Sequence, residues 1–180
     1  MSGPGVNAFT YLTGTLVDLY VAAVLLRLLL QWVRADFYNP LSQLLIRLTN
    51  PALVPLRRVI PSIGRLDTAA VVLMLALEVL GVWLAGKIGS SAMTWQHIVT
   101  FSVIKLLMTL LMTYFFLIIV AVVLSWLGQN LRHPFIPLVF QLTEPVLRPI
   151  RKLIPPVAGI DLSPLFALIA IRFLMLLLGW

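Results

Sequence analysis

The chain contains no cysteine, and only 11% of its 180 residues are charged. Without thiols there is no disulfide, no thiolate nucleophile and no cysteine-held zinc or iron–sulfur centre, which excludes a large share of redox chemistry. Histidine is nearly as scarce, with His97 and His133 alone. A long apolar run separates them, so they are not expected to share a metal ion or a proton. Ser102, Ser125 and the threonines have no histidine at a matching depth except His97 near Ser102, so no catalytic, metal or cofactor site is expected. No segment is polar enough to form a soluble domain beside the rest.

What is abundant is apolar surface: 61% of residues are hydrophobic and the mean hydropathy is +1.06. So few polar groups cannot cover a folded chain in water, which makes this a membrane protein. Lipid offers no hydrogen bonds to backbone, and the apolar runs exceed the roughly 10 residues of a barrel strand, so the spans must be helices. Four are expected, over residues 8–33, 68–86, 98–127 and 163–180. The first carries Asp18 and Arg27, the second Glu78 and the fourth Arg172. At ~1.5 Å per residue the third would reach about 45 Å, more than a bilayer core, and the fourth would be just long enough to cross. No basic residue precedes Arg27 and no small-residue cleavage site follows a short apolar core, so the first helix is read as retained.

Net charge is +7, unevenly placed. Arg34, Arg47, Arg57, Arg58 and Arg65 lie between the first two runs, and Arg132, Arg148, Arg151 and Lys152 between the last two. The middle connection offers only Lys87 before Lys105. By the positive-inside bias both basic loops face the cytoplasm, and both termini and the 87–97 link lie outside.

Residues 20–86 also recur at 114–180 without a gap, 94 positions on, with 17 of 67 residues identical. The matches are not chance leucines: they include Trp32/Trp126, Pro40/Pro134, Thr49/Thr143, Pro51/Pro145, Pro55/Pro149, Arg57/Arg151, Pro61/Pro155 and Asp67/Asp161. The unit is a helix, a proline-punctuated basic loop and a second helix, used twice. Residues 1–97 form the first repeat with its outer link and 98–180 the second, within one membrane domain. Each repeat crosses twice, so both insert with the same polarity and are related by an axis along the membrane normal.

Within the loops, Asn39 before Pro40 is a helix cap followed by a first-turn proline, and Leu41, Leu44, Leu45 and Leu48 recur at helical spacing. A second short turn is expected after Pro51 and Pro55, and in the other copy Arg148, Arg151 and Lys152 fall opposite Leu147, Ile150 and Ile154. That is the pattern of an amphipathic segment lying in the interface. Pro51, Pro55 and Pro61, like Pro145, Pro149 and Pro155, each remove a donor and fix φ, so the ladder shapes the loop path.

These residues carry a resemblance. NP followed by LTNPALVPLRRVIPSIGRLD, and HP followed by LTEPVLRPIRKLIPPVAGIDLSP, resemble the doubled signature of the YggT (YlmG) family of bacterial and plastid integral membrane proteins. The match covers nearly the whole chain. His133 stands where the first copy has Asn39, and Gly159 falls one place later than Gly64. The resemblance implies a small helical protein of the bacterial inner membrane or the thylakoid, with no established enzymatic activity. It also implies links to osmotic response and cation uptake, to cell division and nucleoid organisation, and to cytochrome b6 maturation.

Several residues are candidates for function. Glu78 and Arg172 lie 94 apart, at one depth under the repeat symmetry, and are expected to pair across the axis. The alternative is that Arg172 snorkels outward and Glu78 pairs with Arg27. Asp67 and Asp161 each precede a helix that re-enters the membrane, as N-caps or as parts of a recognition surface. Arg57, Arg58, Arg148, Arg151 and Lys152 form a basic platform for anionic lipid, a larger membrane protein or a second copy of the chain. Nucleic acid is not expected, because the clusters are short and lack interleaved aromatics. Trp32 and Trp126 fit an interfacial belt. Two functions follow: a non-enzymatic inner-membrane scaffold or assembly factor, or alternatively a subunit of a small channel or transporter in osmotic or cation homeostasis.

Overall fold

Apolar runs free of internal breakers fold as long helices, and the prolines and glycines set where the chain turns. The computed structural model of the protein describes residues 4–88, 93–127, 133–155 and 161–179. Its regular structure is helical: α1 (Pro4–Trp32), α2 (Pro40–Val59), α3 (Thr68–Ile88), α4 (Trp95–Leu127), α5 (Phe135–Leu153) and α6 (Ser163–Leu177). The ends of α2 and α5 lie 94 residues apart, the spacing of the sequence match.

Ala8–Trp32, Thr68–Ile88 and Trp95–Leu127 are each long and apolar enough to cross a membrane. Large apolar side chains stand exposed along them, among them Phe9, Leu12, Leu16 and Leu19 on α1 and Phe101, Phe116 and Val123 on α4. Such faces suit lipid and would be costly in water. The expectation of four spans is corrected to three among the described residues. α6 is apolar but has 15 residues, about 22 Å against a hydrocarbon core of roughly 30 Å. It stops at Leu177, after which Gly179 takes the left-handed φ of 88° that ends a helix.

The proline-bearing segments also depart from expectation. Each was expected as two short pieces; each is one helix, with Pro51 and Pro55 inside α2 and Pro145 and Pro149 inside α5. An internal proline forfeits the hydrogen bond to the carbonyl four residues back. All four are exposed, so the freed carbonyls of Arg47, Pro51, Gln141 and Pro145 need not be buried. The opposite faces hold the helices down: Ser42, Thr49 and Leu53 on α2, and Leu138, Leu142, Thr143 and Leu147 on α5 are buried.

Contacts group the chain into two compact units, Met1–Leu28 with Leu45–Thr109 and Leu29–Leu44 with Leu110–Trp180. Val21, Val24, Leu53, Ala69, Ala70 and Met74 are buried in the first, and Ile118, Val139, Leu147, Ala167, Ile171 and Met175 in the second. In the second unit α2 begins on Asn39, whose Oδ1 accepts the Leu41 N–H at 3.0 Å while Nδ2 donates to the Pro134 carbonyl at 2.6 Å. His133 replaces asparagine at the start of α5, and its Nδ1 accepts the Phe135 N–H at 3.2 Å.

Candidate functional site

The first elbow joins the end of α2 to the start of α3. Pro61 cannot continue the helical ladder, and the chain folds back through a tight turn in which Ile63 and Leu66 exchange backbone hydrogen bonds of 3.1 and 3.0 Å. Gly64 supplies the positive φ of 60° that this turn requires. Asp67 follows. Its Oδ1 accepts the Ala70 N–H at 3.3 Å in the first turn of α3, and its Oδ2 accepts Arg57 Nε at 3.1 Å and Arg57 Nη2. The aspartate side chain is 3% exposed, so the Arg57 guanidinium is what compensates a nearly buried charge.

The second elbow repeats this division of labour. Asp161 Oδ1 accepts the Ser163 N–H at 2.9 Å, and Oδ2 accepts Arg151 Nε at 2.9 Å. Arg151 also reaches Glu144 Oε2 at 3.4 Å. Burial raises the Asp161 pKa, but hydrogen bonding at Ser163 and the Arg151 guanidinium outweigh it and hold the carboxyl below the usual aspartate range. This aspartate is 35% exposed, so its pair is the more solvated one. In each elbow one carboxylate oxygen holds a helix start and the other holds an arginine from the preceding helix.

Two of the five expected platform residues, Arg57 and Arg151, are thus engaged within the chain. Arg58, Arg148 and Lys152 are exposed and form no ion pair among the described residues. Pro51, Pro55, Pro61, Pro145, Pro149 and Pro155 are all exposed beside them. Leu44, Leu48, Val54 and Val59 on α2, and Phe140 and Leu153 on α5, add exposed apolar surface.

The intramembrane charges pair otherwise than expected. Glu78, with no exposed surface, has Lys105 Nζ 3.0 Å from its Oε2, and the same ammonium lies 2.5 Å from Asp18 Oδ1. Glu78 therefore takes its partner from α4, in place of Arg172 or Arg27. Arg172 is exposed on α6 and forms no ion pair among the described residues. Arg27, half-buried, donates from Nη1 to Thr49 Oγ1 at 2.6 Å and stands within the field of Arg57 and Asp67. Register alone missed Lys105, because 94 positions back lies Tyr11. The available signal was cruder: Asp18 and Lys105 were charges in apolar helices, and each needed a partner.

Position 121 holds alanine where the first copy has Arg27, and there the second unit opens into a cavity of about 580 Å³. Ala121, Thr143, Leu147, Arg151, Asp161 and Leu168 are among its walls, drawn from α4, α5, the second elbow and α6. The lining is mainly apolar, with the Arg151–Asp161 pair at its polar side. Among the described residues no group of three His, Asp or Glu could hold a metal ion.

Three long apolar helices and two arginine-locked elbows, one between the first two of these helices and one after the third, define an all-helical membrane protein. The CCB3/YggT family profile matches residues 6–88 and again 100–180, and the chain belongs to that family. It is 43% identical over 183 residues to the uncharacterized protein PA0392 of Pseudomonas aeruginosa, covering 96% of this chain and 89% of that one. It is 37% identical over 160 residues to the uncharacterized protein YggT of Escherichia coli K12, covering 88% and 82%. A Vibrio alginolyticus protein encoded in the region 3′ of proC is 39% identical over 180 residues, covering 96% and 94%. No solved structure matches the chain.

Proposed function

We propose that the protein is a non-enzymatic scaffold or assembly factor of the bacterial inner membrane, presenting α2 and α5 at the cytoplasmic face to a partner protein or to anionic lipid. The observation that carries this reading is the lock shared by both elbows. Arg57 and Arg151 are spent on positioning, and that holds Arg58, Arg148 and Lys152 outward beside exposed apolar side chains. Basic and apolar surface side by side is what an interfacial helix offers to headgroups or to a partner lying against them.

The duplicated reading of the chain supports a common side for the two elbows. The family matches begin 94 residues apart, as do the ends of α2 and α5. Of the helices between the elbows only α3 and α4 are long and apolar enough to cross, α5 being read as interfacial, and two crossings return the chain to the side it left, whether or not α6 crosses. In this reading the N-terminus lies outside; an outside C-terminus would in addition require α6 to cross. Photocrosslinking from positions 58 and 152 in native membranes tests the proposal. The same partner should be recovered from both, and Arg58→Glu with Lys152→Glu should abolish its capture at unchanged protein level. Reporter tags that place the elbows on opposite sides of the bilayer would sink it.

A channel or transporter subunit is the second reading, favoured by the Asp18–Lys105–Glu78 cluster in the apolar helices. In liposomes it requires an ion flux that Glu78→Gln removes.

A further inference from the structure

Glu78 lies ten residues from either end of α3, about 15 Å from each. Lys105 is ten residues into α4, also about 15 Å from its start. The ionisable side chains that face Glu78 are Lys105 from α4 and Asp18 from α1. Two carboxylates thus share one ammonium among apolar helices. Fully ionised, the cluster would keep one uncompensated negative charge at a depth where an isolated charge is costly.

The sharing is unequal. Lys105 Nζ stands 2.5 Å from Asp18 Oδ1 and 3.0 Å from Glu78 Oε2, and neither Glu78 oxygen accepts a well-directed hydrogen bond from the described residues. Glu78 is wholly buried, whereas Asp18, 46% exposed, holds the shorter contact to the ammonium. The group left short of a counter-charge is therefore Glu78. Its shortfall is one unit of positive charge, and the geometry selects the carrier. An alkali cation needs several oxygens around it, and here the nearest group is an ammonium that would repel it. A proton needs one lone pair, and Glu78 Oε1 has one free.

We propose that Glu78, beside Lys105 and Asp18, is an intramembrane site for a single exchangeable proton. The step is simple protonation: a proton from water adds to a Glu78 carboxylate oxygen, giving a neutral carboxyl, and leaves by the same bond. Lys105 and Asp18, both partly exposed, form the open side of the cluster through which it exchanges. The site stands independently of the platform reading, since it requires neither a partner nor net transport.

The test uses the full-length protein in lipid vesicles with dicyclohexylcarbodiimide, which reacts with protonated carboxyls in apolar surroundings, and peptide mapping by mass spectrometry. Glu78 should be labelled at neutral pH, with labelling falling as pH rises. Infrared spectra should show a protonated-carboxyl carbonyl band that is missing in Glu78→Gln. Asp18→Asn frees the ammonium for Glu78 and should lower labelling at fixed pH by at least about tenfold, whereas Lys105→Met should preserve or increase it. An unlabelled Glu78 together with no protonated-carboxyl band in the unmodified protein would overturn the proposal. So would suppression of labelling by sodium at constant pH, which would assign the site to an alkali cation.

Discussion

Behind the first elbow, Arg27 reaches from α1 to Thr49 and stands close to Arg57 and Asp67; behind the second, Ala121 leaves a cavity of about 580 Å³. The lock in front is the same in both: Arg57 with Asp67, and Arg151 with Asp161. Its surroundings are not. Asp67 is 3% exposed and Asp161 35%, so one carboxylate depends on its arginine and the other retains water. The comparison teaches that a repeated contact need not carry a repeated energy, because the cost of breaking an ion pair depends on what the surviving charge is left facing.

The sharpest way to break the comparison is to remove each arginine. Arg57→Ala strands a buried aspartate and should cost about 3–5 kcal/mol in denaturant unfolding of the detergent-solubilised protein. Arg151→Ala leaves a carboxylate that water reaches, and should cost about 1 kcal/mol. Equal losses would mean that burial does not separate the two elbows. The next effect concerns the space behind them. Arg27→Ala deletes a half-buried side chain and its hydrogen bond to Thr49, and should cost about 1–3 kcal/mol. Ala121→Arg adds a side chain to a site that already has room and a carboxylate at its wall, so the same assay should show a change within about 1 kcal/mol.

Much of the architecture was legible because helix starts and stops are local chemistry. Asn39 with Pro40, Pro61 with Gly64, and Asp67 mark boundaries by capping, φ restriction and a missing donor, all of which can be read from residue type. The same residues recur in register, so the elbow lock could have been drawn from Arg57/Arg151 and Asp67/Asp161 together. What the residues did not disclose depends on packing. α2 and α5 run through their prolines because buried faces hold them across the missing bonds, and no local rule weighs a buried Thr49 or Leu142 against an exposed Pro51 or Pro145. Glu78 pairs with Lys105 because the first unit brings the two side chains together, whereas register pointed to Arg172. The short reach of α6 was hidden by composition, since residues 178–180 are as apolar as the helix they follow.

The smallest effect sharpens the same contrast through pH. Asp161 sits below the usual aspartate range when folded, so the unfolded chain takes up its proton at higher pH than the folded one. Stability from this group is therefore fully present above the ordinary aspartate value and is lost as pH falls through the depressed folded value. Arg151 keeps its charge throughout, so the change belongs to the carboxyl alone. Asp161→Asn keeps an oxygen for the Ser163 N–H but removes the titration. The variant should be less stable than the unmodified protein at neutral pH by about 1 kcal/mol, and the two should converge on acidification below the aspartate range. A gap that stayed constant with pH would show that Asp161 serves the second elbow only through its hydrogen bond to α6, with no contribution from its charge.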